Sequence, residues 1–261
     1  MSHEVMIPSL EDDTLVFMHL PKTGGTALRA SLLRAFDTSA TALIYPSTDL
    51  DASMTRAEFV SLSREALDRL RLVMGHFQFG IHEQIGRPSR YATIIRDPVD
   101  RVVSLYYHYR NLPGIRFGGK GHRERLRMRL TRTSMEDWVF QGDRRTADNV
   151  AIRNITGRGD VPFGQCTDGL FDEAMERIDR HFIALLATER MSEGAILMSR
   201  IIERDLPQVG VENANPKRPA LEELDPSVIE RVRELNRYDL RLHQLALGRL
   251  EGVVMDERRA W

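Results

Sequence analysis

The chain has 261 residues, 42% of them apolar and 29% charged, and its 37 basic and 38 acidic side chains leave a net charge of −1. That length can bury a substantial core, as one large domain or two small ones, and the near-neutral balance speaks against a general nucleic-acid binder. The lone Cys166 excludes an internal disulfide and fits a reducing compartment. With a mixed, acidic opening and no apolar run near the ~20 residues of a membrane helix, the expected setting is cytoplasmic, without an integral membrane segment.

Residues 1–13 read as a mobile or edge segment. Leu15 to His19 is a short, largely apolar strand that runs into Pro21-Lys22-Thr23-Gly24-Gly25-Thr26-Ala27. Leu28, Leu32, Leu33 and Phe36 then share one helical stripe, with Arg29 and Arg34 off it. Strand, glycine turn and helix build an anion site, because the turn's N–H groups and the helix's unpaired first amides converge on one spot. The two glycines keep Cβ atoms out of the way. Lys22 brings a mobile charge; Thr23 and Thr26 offer hydroxyls, Thr26 also as a helix N-cap. An ordinary strand-to-helix turn is the plainer alternative.

The motif is not a Walker A loop, GxxxxGK[ST], since the lysine precedes the glycines, and no GxGxxG is present. A phosphate-like group is expected here, with no metal. Lysine is rare in this arginine-rich chain, occurring only at 22, 120 and 217, which slightly strengthens the case for Lys22 as a functional charge.

Asp37 to Ser53 reads as a loop. Met54 to Leu70 reads as one helix, with Thr55 and Glu58 at capping-box spacing. Leu72-Val73-Met74 is a short strand ending at Gly75-His76, and a loop or helical turn fills Phe77 to Arg87. Tyr91 to Ile95 is a second clear strand. It runs through Arg96-Asp97-Pro98 into a helix carrying Val99, Val102, Val103, Tyr106 and Tyr107, with Pro98 suited to the first turn. Arg96 is thus delivered to the C-terminal end of a strand, where ligands gather in open α/β sheets and where the Lys22 loop also opens. Two anion-binding elements on one edge predict a ligand with two separated anionic groups.

Arg110 to Arg132 sets Arg116, Lys120, Arg123, Arg125, Arg127, Arg129 and Arg132 against one acid, Glu124. It is either a solvated face or a basic rim for an acidic acceptor. Ser134 to Phe140 starts a helix, with Ser134 and Asp137 at capping distance. Asn149 to Gly164 is loop-rich, Phe171 to Ile178 helical, Phe182 to Leu186 a buried strand and Glu193 to Glu203 helical. Glu212 to Pro219 is a polar loop, and Pro226 to about Leu250 one long helix. Without repeats or a low-complexity linker, residues 1–261 read as a single α/β domain.

PKTGGTAL after a strand, GHFQFGIH in the middle and IIRDPVDRVVSLYYHYR after a second strand resemble the PAPS-dependent sulfotransferases. The branch is the one containing heparan sulfate 2-O-sulfotransferase and its bacterial relatives. Weaker echoes at DNVAIRNITG and FIALLATERMSEGAILMSR extend the resemblance over most of the chain. It implies a three-layer α/β fold, with a central parallel sheet and a P-loop-like sulfotransferase architecture. It also implies transfer of a sulfuryl group from 3′-phosphoadenosine 5′-phosphosulfate (PAPS) to an acceptor hydroxyl, leaving PAP.

Carried onto this sequence, Pro21 to Ala27 would hold the 5′-phosphosulfate, and Arg96 with Ser104 the 3′-phosphate. Lys22 would also stabilise the departing oxygen, and His76 would be the base. His82 and Arg153 would face the acceptor, and Lys217 and Arg218 would cap the adenosine. The competing readings are a salt bridge from Arg96 to Asp100, a structural or cofactor-rim role for Arg101, and a structural or rim role for His76. His19, His82 and His108 are the weaker candidates for the base. Gly25 and Ala27 stand where other members carry hydroxyl residues, which leaves those contacts to backbone N–H groups. A glycan is the expected acceptor. The alternatives are a small hydroxylated metabolite or lipid, a kinase-like phosphate binder, and a non-catalytic binding protein on the same fold.

Overall fold

The computed structural model describes residues 9–45, 53–111, 128, 133–140, 145–206 and 218–259. Five parallel strands form the centre: β1 (Thr14–Met18), β2 (Thr41–Ile44), β3 (Leu72–Gly75), β4 (Ser89–Ile95) and β5 (Phe182–Ala187), in the order β2-β3-β1-β4-β5. All five residues of β1 are fully buried. Since successive side chains of a strand face opposite ways, both faces of the sheet are covered. Parallel strands need that arrangement, and it is the expected three-layer α/β architecture. Register aligns Met18 with both Gly75 and Thr93, so the segments after β1, β3 and β4 leave from one edge.

The helices are α1 (Thr26–Ala35), α2 (Arg56–Val60), α3 (Arg64–Asp68), α4 (Pro98–Asn111), α5 (Met135–Phe140), α6 (Val150–Ile155), α7 (Asp168–His181), α8 (Met191–Ile202), α9 (Pro226–Leu235) and α10 (Arg237–Arg259). Among the described residues none is long and apolar enough to cross a membrane. One core surrounds the sheet. A second joins α4, α5 and α9 through Val102, Tyr106, Trp138 and Val232.

Several boundaries differ from the sequence reading. Thr41–Ile44, inside the expected loop, is the edge strand β2. The expected 54–70 helix is two short ones. Thr55 and Glu58 do form a capping box, but Ser63 caps a second start by accepting the Ala66 N–H. The long C-terminal helix breaks at Asn236, and α6 rises from the segment read as loop. Leu10, in the expected mobile segment, is buried and donates its N–H to Ile201.

The break at Asn236 and the start of α6 form one clasp. Asn149 sits at φ 45°, and its side-chain oxygen accepts the N–H groups of Tyr238 and Asp239, both at 3.1 Å. In return the Asp239 carboxylate accepts the N–H groups of Ala151 and Ile152 at 2.8 and 3.0 Å. Each helix thus satisfies the other's orphan donors. Burial pushes the Asp239 carboxyl up to about 6, against the pull of the Ala151 N–H and of Arg101.

Arg153 belongs to this interior. It is 2% exposed, donates through Nη2 to Asp148 Oδ2 at 2.6 Å and through Nε to the Asp148 carbonyl at 2.8 Å, and also reaches the carbonyls of Val161 and Pro162. Its donors are spent on the fold, which removes it from the acceptor side where the resemblance had put it. Arg153→Ala would strand the buried Asp148 carboxylate, so we expect a loss of about 3 kcal/mol in stability. Urea unfolding checks this; an unshifted midpoint would show that the pair carries no weight.

Candidate active site

The Lys22 loop follows β1, the innermost strand, and the Arg96 segment follows its neighbour β4. Lys22 itself adopts φ 69° and Gly24 φ 71°. A non-glycine residue in that region is uncommon and costs roughly 1–2 kcal/mol. Thr23 Oγ1 donates to the Leu20 carbonyl at 2.8 Å and is buried. Its hydroxyl therefore shapes the turn instead of facing a ligand, a correction to its expected role. Thr26 is the first helical residue and not the cap: Gly25 holds the N-cap position without a side-chain bond, and α1 has no acid in its first turn. The opening amides of Thr26 and Ala27 thus remain available to an anion.

Gly25 has a second reason to be glycine. A Cβ there would stand 2.9 Å from His19 Nε2. The loop packs directly on that histidine, which lies just past β1 and not within it.

Arg96 links the two elements, donating through Nη1 to the Lys22 carbonyl at 3.2 Å. Its Nε also donates to Asp100 Oδ2 at 2.6 Å, which realises the salt-bridge alternative. Arg218, 118 residues beyond Asp100, pairs with its other oxygen, so one carboxylate holds two guanidinium groups. Asp100 and Ser104 lie one turn apart on α4 and share a face. The Ser104 hydroxyl is half-buried and has no hydrogen-bond partner among the described residues. Burial lowers the Arg96 pKa, and the nearby Glu189 and Asp97 carboxylates oppose this. Burial, and then Arg96, hold Lys22 below the ordinary lysine value. Arg101 instead turns inward, is 3% exposed, and donates to the Thr146 carbonyl at 3.0 Å. Thr188, which the sequence reading missed, donates to the carbonyls of Thr23 and Ile95 at 2.6 and 3.2 Å and ties the loop to β4 and β5.

His76 follows β3 on the same edge. Its Nδ1 lies 2.6 Å from the His19 carbonyl. A carbonyl can only accept, so Nδ1 carries the proton and Nε2 keeps its lone pair. Burial lowers the His76 pKa, the bond to His19 opposes this, and Arg29 adds to the lowering. The result is a neutral imidazole with a basic nitrogen. Around it stand His19, 5.0 Å away between ring centroids, and Tyr45, whose ring meets it edge-on at 4.8 Å. His19 Nδ1 is 3.1 Å from the Tyr45 hydroxyl. Burial first, then His76 and Arg29, bring the His19 pKa down to about 3.

The structure does not bring every predicted residue here. His82 Nδ1 lies 2.8 Å from the Tyr91 hydroxyl, among Phe79 and His181. Tyr91 is four residues before the end of β4, roughly 13 Å back along the strand, so His82 contacts the part of β4 away from the Lys22 edge. That position corrects its expected acceptor role. His108 lies farther along α4, past Ser104. Lys217 lies outside the described residues, as does most of the basic segment from Arg116 to Arg132.

Comparison with known proteins supplies the family. A family model described as the sulfotransferase family matches residues 10–246. Among solved structures, the chain is similar to mouse sulfotransferase SULT7A1 complexed with PAP at 13% identity, covering 89% of this chain and 65% of that one, with a TM-score of 0.37. It therefore spans less than two thirds of that protein, and a likeness so distant adds nothing to the family match. No curated protein sequence matches.

Proposed function

We propose, from the premise that the chain belongs to the sulfotransferase family, that it transfers a sulfuryl group from PAPS to an acceptor hydroxyl with His76 as base. The observation that carries this reading is the joint between the two anion-binding elements. Lys22 and the uncapped start of α1 form one, Arg96, Arg218 and Ser104 the other, and the Arg96–Lys22 contact couples them. The residues present suit PAPS, which carries a phosphosulfate and a separate 3′-phosphate. The backbone from Pro21 to Ala27 faces the first, with Gly24 and Gly25 admitting close approach, and the forked guanidinium of Arg96 suits the second.

When bound, PAPS supplies the sulfuryl group, and the products are a sulfate ester and PAP. His76 Nε2 takes the acceptor's hydroxyl proton. The Lys22 ammonium and the α1 amides face the negative charge that grows on the leaving side, a preorganised arrangement usually worth more than any other catalytic effect. A glycan acceptor is the finer part of the proposal, and it draws on the sequence resemblance alone.

Calorimetric titration with PAP, ADP and ATP, without magnesium, tests the donor. We expect PAP to bind at least tenfold more tightly than either, and Arg96→Ala to erase that preference. Equal or tighter binding of ATP would overturn the reading in favour of a kinase-like phosphate binder.

A further inference from the structure

Arg29 is a cation of this edge that the transfer scheme leaves without a task. Its N–H bonds to the Gly25 carbonyl, so it stands one turn beyond the loop on α1. The side chain is half-buried, and its guanidinium carbon lies 5.8 Å from the centroid of the Tyr45 ring. Tyr45 in turn meets His76 edge-on. Arg29 and the base thus share one aromatic wall. Among the described residues no carboxylate lies within ion-pair range of Arg29, whereas Arg96 and Arg218 have Asp100. A half-buried guanidinium without a counter-ion is costly unless something else neutralises it.

The donor's anionic groups are already matched, by Lys22 with the α1 amides and by Arg96, Arg218 and Ser104. We infer that Arg29, backed by Tyr45, is a specificity-determining subsite for a carboxylate or sulfate ester that the acceptor carries beside its reacting hydroxyl. This rests on the sulfotransferase reading of the same site. The chemistry is consistent with the position: Arg29 helps to lower the pKa of His76, and an acceptor anion on Arg29 would relieve that pressure as the hydroxyl arrives at Nε2.

The test uses the full chain saturated with PAP and two probes, 4-nitrophenyl β-D-glucuronide and 4-nitrophenyl β-D-glucoside. They differ in a carboxylate against a hydroxymethyl group. For wild type the glucuronide should bind at least tenfold more tightly. Arg29→Gln should abolish that advantage, and Arg29→Lys should keep part of it. PAP affinity, measured separately on each variant, should stay within about threefold of wild type and reports that the fold and donor site are intact. Equal binding of the two probes, binding of neither, or an advantage that survives in Arg29→Gln would overturn the subsite while leaving the donor reading standing. Failure of wild type to bind PAP would instead remove the donor reading itself.

Discussion

His76→Asn should lower turnover in a radiolabelled PAPS transfer assay by about 10²–10⁴-fold, the range expected for loss of a general base, with PAP affinity nearly unchanged. Asparagine can still donate to the His19 carbonyl, so the segment after β3 keeps its anchor while the basic nitrogen is lost. The wild-type pH profile sharpens the test. The base works in its neutral form, and burial holds the His76 pKa below the ordinary value, with the His19 bond opposing and Arg29 assisting. Turnover should therefore persist as pH falls through about 6.5, with the acid limb below it. Turnover within threefold of wild type in His76→Asn would assign the proton to another group.

Lys22→Ala should cost about 10²–10³-fold in turnover, the scale seen when one preorganised charge-stabilising donor is removed. Alanine bears the same left-handed backbone penalty as lysine at φ 69°, so the change reports charge and not strain. Lys22→Arg should rescue poorly, because a planar fork cannot occupy the space of a compact ammonium beside Arg96. PAP binding measured alongside separates the two tasks. If affinity falls and turnover at saturating PAPS is untouched, Lys22 only binds the donor.

The parts of this site that could be read from the sequence are those that chemistry writes locally. The β1–loop–α1 unit, β4 with Arg96, and His76 after Gly75 each depend on a few adjacent residues. The Thr55–Glu58 box and the Ser134–Asp137 cap were legible for the same reason. Misreadings came where the folded backbone, and not the residue type, sets a side chain's partner. Thr41–Ile44 has only four residues and weak alternation, and it becomes a strand because β3 pairs with it. The resemblance places Arg153 on the acceptor side, and the structure surrounds it with Asp148 and the carbonyls of Val161 and Pro162. Thr23 offered a hydroxyl that a carbonyl three residues back had already taken. Arg29 and Tyr45 lie 16 positions apart and reveal nothing until α1 and β2 bring them together.

The clasp between Asn149 and Asp239 also orders events during synthesis. All five strands have been made by residue 187, so the sheet can assemble while translation continues. Until residues 236–239 emerge, however, the Asn149 side-chain oxygen and the amides of Ala151 and Ile152 lack the partners that close the clasp. Folding that proceeds from the N-terminus as the chain grows would then pause with a formed sheet and an open seam along α6. The last helix closes that seam, so a ribosome stalled ahead of Asn236 should display a nascent chain that proteases cut between Asn149 and Gly164 and that chaperones hold.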